Sequence, residues 1–207
     1  MGKSETLGIT DLSMLLVILI WAINFSFIKI ALAEFSPLAF NGIRMVFASV
    51  ILILFLFITK QGLGIKKKDI GRLVILGIIG NTVYQLLFIH GIDLTTASNT
   101  SIIMAMTPAS VALLSWICKH EKIHWAAWGG IALSFVGFYL VIIEQPGTIG
   151  FSWQNLRGDM MIFFGNLAWA IYTVFSKPLL GRISPLKWSS LTLAVGSLFY
   201  LPFCFPA

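Results

Sequence analysis

Apolar residues run along the chain in seven long blocks, at about 12–32, 37–59, 70–90, 95–117, 125–143, 159–177 and 187–206. A helix needs roughly 20 apolar residues to cross about 30 Å of hydrocarbon, and each block is near that length. Chain breakers and polar residues separate the blocks: Ser36-Pro37, the Gly62/Gly64 loop, Gly91, the Lys119–His124 charge cluster, Pro146-Gly147, Pro178 with Gly181, and Ser184-Pro185. The pattern predicts an all-α membrane protein, a polytopic helical bundle of about seven transmembrane helices. One Lys precedes the first block and no small-residue cleavage pattern follows it, so it reads as a first spanning helix and not as a cleaved signal.

Composition strengthens this reading. The 207 residues are 58% apolar and only 11% charged, whereas soluble domains run near one quarter charged. The net charge of +6 does not point to nucleic acid, because the basic residues flank the blocks and form no basic helix face. Lys3, Lys60, Lys66, Lys67, Lys68, Arg72, Lys119, Lys122, Lys177, Arg182 and Lys187 fall at the N-terminus or in every second connection. Glu34, Asp93, Glu144 and Arg157 occupy the alternate connections. The positive-inside rule then predicts a cytoplasmic N-terminus in a multi-pass cell-membrane protein of the bacterial inner-membrane type. Cys118 and Cys204 are assigned to opposite faces, which excludes a bridge within one chain and leaves two apolar-like thiols.

The chain also matches itself at an offset of 148 residues. Asp11, Leu19, Trp21, Ala22, Ile23, Phe27, Lys29, Leu32, Ser36, Pro37 and Leu38 recur as Asp159, Leu167, Trp169, Ala170, Ile171, Phe175, Lys177, Leu180, Ser184, Pro185 and Leu186. Five helices precede the second copy, so helices one and six must cross in opposite directions. Inverted repeats of this kind are typical of secondary carriers that alternate access around a mid-membrane site.

Polar residues inside the blocks are the candidate chemistry. Thr96, Asn99, Thr100, Thr107 and Ser110 share an arc of helix four, where Pro108 cannot donate and loosens the carbonyl of Met104. Such an arc either lines a cavity or glues helices together, and Asn99 is assigned to the cavity. Trp21 and Asn24 share a face of helix one, and Asn166, Trp169, Thr173 and Ser176 a face of helix six. The two Trp lie about 15 Å inside their helices, too deep for an interfacial belt. On helix three Gly77, Gly80 and Tyr84 align, with Asn81 and Gln85 beside them; the glycines allow close backbone approach and Tyr84 reaches the cavity. Lys29 and Arg44 either snorkel toward headgroups or serve an outer gate or a substrate carboxylate.

Glu5, Asp11, Glu34, Asp69, Asp93, Glu121, Glu144 and Asp159 are all assigned to helix ends or loops, with Asp11, Asp69 and Asp159 as N-terminal caps. This leaves no carboxylate at the membrane centre for proton-coupled export of organic cations. His120-Glu121-Lys122-Ile123-His124 matches HExxH, the zinc motif of metalloproteases, but lies in a charged turn with no third ligand on its side of the membrane. The residues therefore predict no enzyme, no metal and no cofactor.

The runs WAINFSFIK and SPLAFNGIR, the segment YQLLFIHGIDLTTASNTSIIMAMTP and Glu121 after helix four together resemble the EamA family of the drug/metabolite transporter superfamily. The resemblance covers nearly the whole chain. It implies two copies of a five-helix unit, with 11–144 as the first and 157–207 as the first two helices of the second. On that reading three spans of the second copy are missing. The expectation is then a fragment, or a chain whose cavity is closed by a homo-oligomer or by a partner that supplies those helices. The implied function is export of small neutral or zwitterionic metabolites such as amino acids by alternating access. Substrate contacts are expected from Trp21, Asn24, Tyr84, Asn99 and Trp169, a gate from Lys29 and Arg44, and a helix break at Pro108. The rival expectations are a non-transporting fragment or subunit and, remotely, a membrane metalloprotease.

Overall fold

The computed structural model describes residues 8–143 and 153–204. They form seven helical rods: α1 (Ile9–Ala31), α2 (Pro37–Ile58), α3 (Lys67–Leu94), α4 (Ala97–Ile117), α5 (Trp125–Ile143), α6 (Trp153–Leu180) and α7 (Pro185–Tyr200), the last running into a 3-10 turn at Leu201–Cys204. No strand occurs among the described residues. The five rods α1, α2, α3, α4 and α6 are long and apolar enough to cross a membrane, and α5 and α7 are shorter. Lys3, Glu5, Glu144, the Pro146-Gly147 breaker and positions 205–206 of the seventh block lie outside the described residues.

Several expected boundaries move, and the reasons lie in packing. Gly91 does not break a helix, since α3 continues to Leu94. It is a contact instead: a Cβ there would stand 2.7 Å from Ile162 Cδ1 and 3.0 Å from the Gly158 carbonyl, so the missing side chain lets α3 and α6 touch backbone to backbone. Pro178 falls inside the final turn of α6, which ends two residues later. Arg157 belongs to the first turns of α6 and not to a connection. Of the three expected caps, Asp11 accepts from the Gly8 amide at 2.9 Å, three residues back. Asp69 lies in the first turn of α3 but is buried, and accepts a 2.5 Å hydrogen bond from Arg182. Asp159 is not a cap. It sits in the second turn of α6 with no exposed surface, accepting from Thr95 Oγ1 at 2.6 Å and from Asn99 Nδ2 at 3.2 Å.

Two helices are irregular. Between Ile78 and Val83, α3 widens into a π segment, whose extra residue re-aims the following side chains. A Cβ at Gly80 in this segment would collide with the Tyr172 ring, so glycine is required where α6 crosses. In α4 the helix is interrupted at Met106, two residues before Pro108. The carbonyl of Met104 that the proline leaves free accepts from Thr107 Oγ1 at 2.6 Å.

The tertiary order follows from paired contacts. Along α3 and α6, Thr95 meets Asp159, Tyr84 meets Trp169, and Asp69 meets Arg182, so these helices are antiparallel. α2 and α7 are antiparallel too: Gly42 lies against Tyr200, Ser49 Oγ is 2.7 Å from Ser197 Oγ, and the Ser190 hydroxyl donates to the Leu52 carbonyl. Ser49 and Ser197 are separated by 148 positions, the offset of the sequence repeat. The same offset relates Gly42 to Ser190 and Leu52 to Tyr200. Replacing each position by its counterpart at this offset therefore turns the serine contact into itself and exchanges the other two, Gly42–Tyr200 and Leu52–Ser190.

Two apolar cores result. One gathers Phe25, Ile28, Phe88, Ile89, Ile92, Ile103, Met104 and Ile162 from α1, α3, α4 and α6. The other gathers Leu73, Leu76, Tyr172, Leu179 and Trp188 from α3, α6 and α7.

Candidate functional site

Between the two cores the helices part around a cavity of about 330 Å³. Trp21, Asn24 and Phe25 enter it from α1, Arg44 and Leu52 from α2, and Asn81, Tyr84, Gln85 and Phe88 from α3. Met104 of α4, Trp169 and Tyr172 of α6, and Ser189 and Leu193 of α7 close the rest. Four of the five expected substrate contacts are thus brought together, along with Arg44.

One wall is a continuous aromatic ladder. Ring centroids lie 5.7 Å apart for Phe88 and Tyr84, 5.2 Å for Tyr84 and Trp169, and 5.1 Å for Trp169 and Tyr172, all tilted. These spacings are within the range of favourable aromatic pairs. The ladder depends on the π segment just before Tyr84 and on Gly80, which together bring α3 and α6 close enough for the rings to meet. Two repeat-related pairs face the cavity, Trp21 with Trp169 and Asn24 with Tyr172.

The polar inventory is small and incompletely used. Asn81 Nδ2 and Gln85 Oε1 are buried without a hydrogen-bond partner. Buried polar atoms are paired in the great majority of cases, so two orphans on one cavity wall are groups available to a bound molecule or to water. Among the described residues no Asp or Glu lines the cavity.

The remaining sequence candidates go elsewhere. Asn99 is not among the cavity-lining residues; its amide is held by Asp159. The rest of its polar arc mostly joins helices or bonds locally: Ser110 accepts from Asn166 Nδ2 at 3.3 Å, and Thr100 bonds back to the Thr96 carbonyl. Lys29 lies outside the cavity and donates to the carbonyls of Ile92 and Asp93 at 2.8 and 2.6 Å, tying α1 to the end of α3. Its repeat counterpart Lys177 pairs with Glu121 at the other end of the bundle. That hydrogen bond holds the Glu121 carboxyl below its ordinary value of 4.5, with the Lys177 charge reinforcing it. Residues 118–124, which contain the HExxH match, form a non-helical connection, so His120 and His124 are not stacked on one helix face.

Sequence reasoning missed Tyr172, Phe25, Phe88 and the lining from α7. Tyr172 carried a usable signal, since it stands 148 positions after Asn24. The others are apolar residues among many, and nothing in the pattern separated them from lipid-facing neighbours.

Residues 8–143 match the EamA-like transporter family. An uncharacterized transporter of Archaeoglobus fulgidus is 29% identical over 188 residues, covering 91% of this chain and 64% of that protein. An uncharacterized transporter of Bacillus subtilis is 29% identical over 164 residues, or 79% of this chain and 50% of that one. The S-adenosylmethionine/S-adenosylhomocysteine transporter of Chlamydia trachomatis serovar L2 is 28% identical over 149 residues, 70% of this chain and 46% of its own length. The chain therefore spans about half to two thirds of the length of the curated relatives it matches. No solved structure matches it.

Proposed function

Because the chain belongs to the EamA-like transporter family, we propose that it is a secondary carrier, moving small neutral or zwitterionic metabolites, amino acids among them, across the cell membrane. The cavity between the two cores is its substrate site. Residues 11–144 act as one repeat and 157–207 as the start of an inverted second one, and movement of one against the other opens the site to each side in turn. The N-terminus is cytoplasmic on this reading, since the basic connections then lie inside. Trp21, Asn24, Tyr84 and Trp169 touch the substrate. Asn99 is not proposed as a contact.

The observation that carries the reading is the repeat-related Trp21 and Trp169 lining one cavity. Inverted copies that contribute equivalent side chains to a single pocket are what alternating access needs. A volume of about 330 Å³ is at the low end of small-molecule sites, which suits single metabolites and not peptides. The name of the Chlamydia relative adds a nucleoside-bearing amino acid to the candidates.

Counterflow of labelled amino acids into proteoliposomes tests this, with the protein reconstituted as the cell makes it. Transport above protein-free vesicles that Trp169→Ala cuts at least tenfold is the expected result. Flux that survives both Trp21→Ala and Trp169→Ala would remove the cavity from the mechanism.

One observation favours a second reading. Along α1 nearly every large apolar side chain is exposed, Trp21 by 52%, and an apolar groove between α1 and α4 adjoins the cavity. Further helices, from a longer chain or a partner, would cover this face. Native mass spectrometry from membranes separates the cases by the mass of the transporting species.

A further inference from the structure

Arg44 is a half-buried arginine in the first half of a membrane-spanning helix, about 10 Å from its start. A guanidinium has five N–H donors. Among the described residues one hydrogen bond uses them, from Nη1 to Asn41 Oδ1 at 3.4 Å, and the group lies 5.5 Å from the Phe40 ring centroid. The ion pairs formed among the described residues are Lys177–Glu121 and Arg182–Asp69, so Arg44 has no carboxylate partner there. An ionisable group held within a membrane span without a counter-ion is costly to keep, and marks a site whose partner arrives from outside.

The surroundings give that partner its chemistry. Arg44 faces the cavity whose wall holds the orphaned donor Asn81 Nδ2 and the orphaned acceptor Gln85 Oε1. The planar fork of arginine matches a carboxylate with two parallel N–H···O bonds, which lysine does not reproduce. Resting on the transport reading above, we propose that Arg44 is the specificity-determining residue of the cavity and selects substrates by a carboxylate, with the aromatic ladder taking the rest of the molecule. The carboxylate sits between the guanidinium and Asn81. An amino group, where the substrate has one, donates to Gln85 and rests against ring faces, which attract cations without a formal negative charge. The site then tolerates loss of the amino group and rejects loss of the carboxylate. A pocket built to bond a polar group discriminates strongly against the analogue that lacks it, because its own buried donors are left unpaired.

Three probes of one shape separate the terms: L-phenylalanine, 3-phenylpropionate without the amino group, and phenethylamine without the carboxylate. Binding to the purified full-length protein in nanodiscs is measured by calorimetry, and flux in proteoliposomes by isotope counterflow. Phenylalanine and 3-phenylpropionate are expected to bind within tenfold of each other, and phenethylamine at least tenfold more weakly. Arg44→Gln should erase that preference and Arg44→Lys restore it only in part. Wild-type protein that takes phenethylamine as well as phenylalanine overturns the assignment and leaves transport standing, whatever the variants do. Carboxylate-selective binding with no flux supports Arg44 and sinks the transport reading. No binding and no flux with any probe overturns both.

Discussion

Replacing Asp159 by Ala tests whether the buried carboxylate fastens the α3–α4 corner to α6. Wild-type Asp159 accepts from Thr95 Oγ1 at 2.6 Å and from Asn99 Nδ2 at 3.2 and 3.3 Å, and all three side chains are buried. Hydrogen bonds between helices in membranes contribute about 0.6 kcal/mol on average and reach about 1.7 kcal/mol. Two such donors set the loss at about 1–3.5 kcal/mol, and the upper part of that range is expected because both donors are then stranded away from water. Asp159→Asn keeps one acceptor and should cost about half as much. Reversible unfolding in mixed micelles reads the difference. The decisive measurement is the double-mutant cycle with Thr95→Val. If the contact is real, Thr95→Val costs little once Asp159 is gone. An Asp159→Ala variant within about 0.3 kcal/mol of wild type, or strictly additive single losses, would show that the carboxylate fastens nothing.

Gly80→Ala places a methyl against the Tyr172 ring and should cost about 1–3 kcal/mol by overpacking. The same unfolding assay checks it, and Tyr172→Ala in that background should recover part of the loss. Thr107→Val strips the Met104 carbonyl of its hydroxyl partner and should cost about 1 kcal/mol, whereas Pro108→Ala added to it lets the helix donor return and restores stability. For Glu121, the folded carboxyl lies below its ordinary value of 4.5, so its pairing with Lys177 contributes above that value and is lost as pH falls through the folded one. The unfolding midpoints of wild type and Glu121→Gln should therefore differ by a constant amount from pH 6 to 8 and converge in acid. A gap that widens on acidification would refute the pairing.

The helical scaffold was readable because lipid imposes a coarse rule: long apolar runs, separated by breakers, become rods. What length alone could not reveal was which breakers break. Gly91 and Pro178 look alike in sequence to Gly62 and Pro185, yet the first serves a helix contact and the second is absorbed in a final turn. Trp21 and Trp169 stood out by mid-membrane depth and by the repeat, Asn24 by sharing a face with Trp21, and Tyr84 by aligning with Gly77 and Gly80; all four line the cavity. Asn99 was misplaced because helical periodicity gives a residue's face but not its neighbour, and its neighbour is Asp159. That carboxylate stands at the start of an apolar block, which suggests a cap, but the helix begins at Trp153, before the block does. The π segment of α3 left no trace in the pattern, since one extra residue in twenty-eight changes no composition.

Ser49 and Ser197 stand at the repeat offset from one another, unlike Gly42 and Tyr200 or Leu52 and Ser190. Exchange the shapes of the two halves and this contact becomes itself with its partners relabelled. Gly42 against Tyr200 instead becomes Ser190 against Leu52, so those two contacts trade places. A machine that works by swapping roles between its halves must lengthen one of that pair as it shortens the other. In such a machine the serine bond can keep its length throughout, as the still point of a see-saw does.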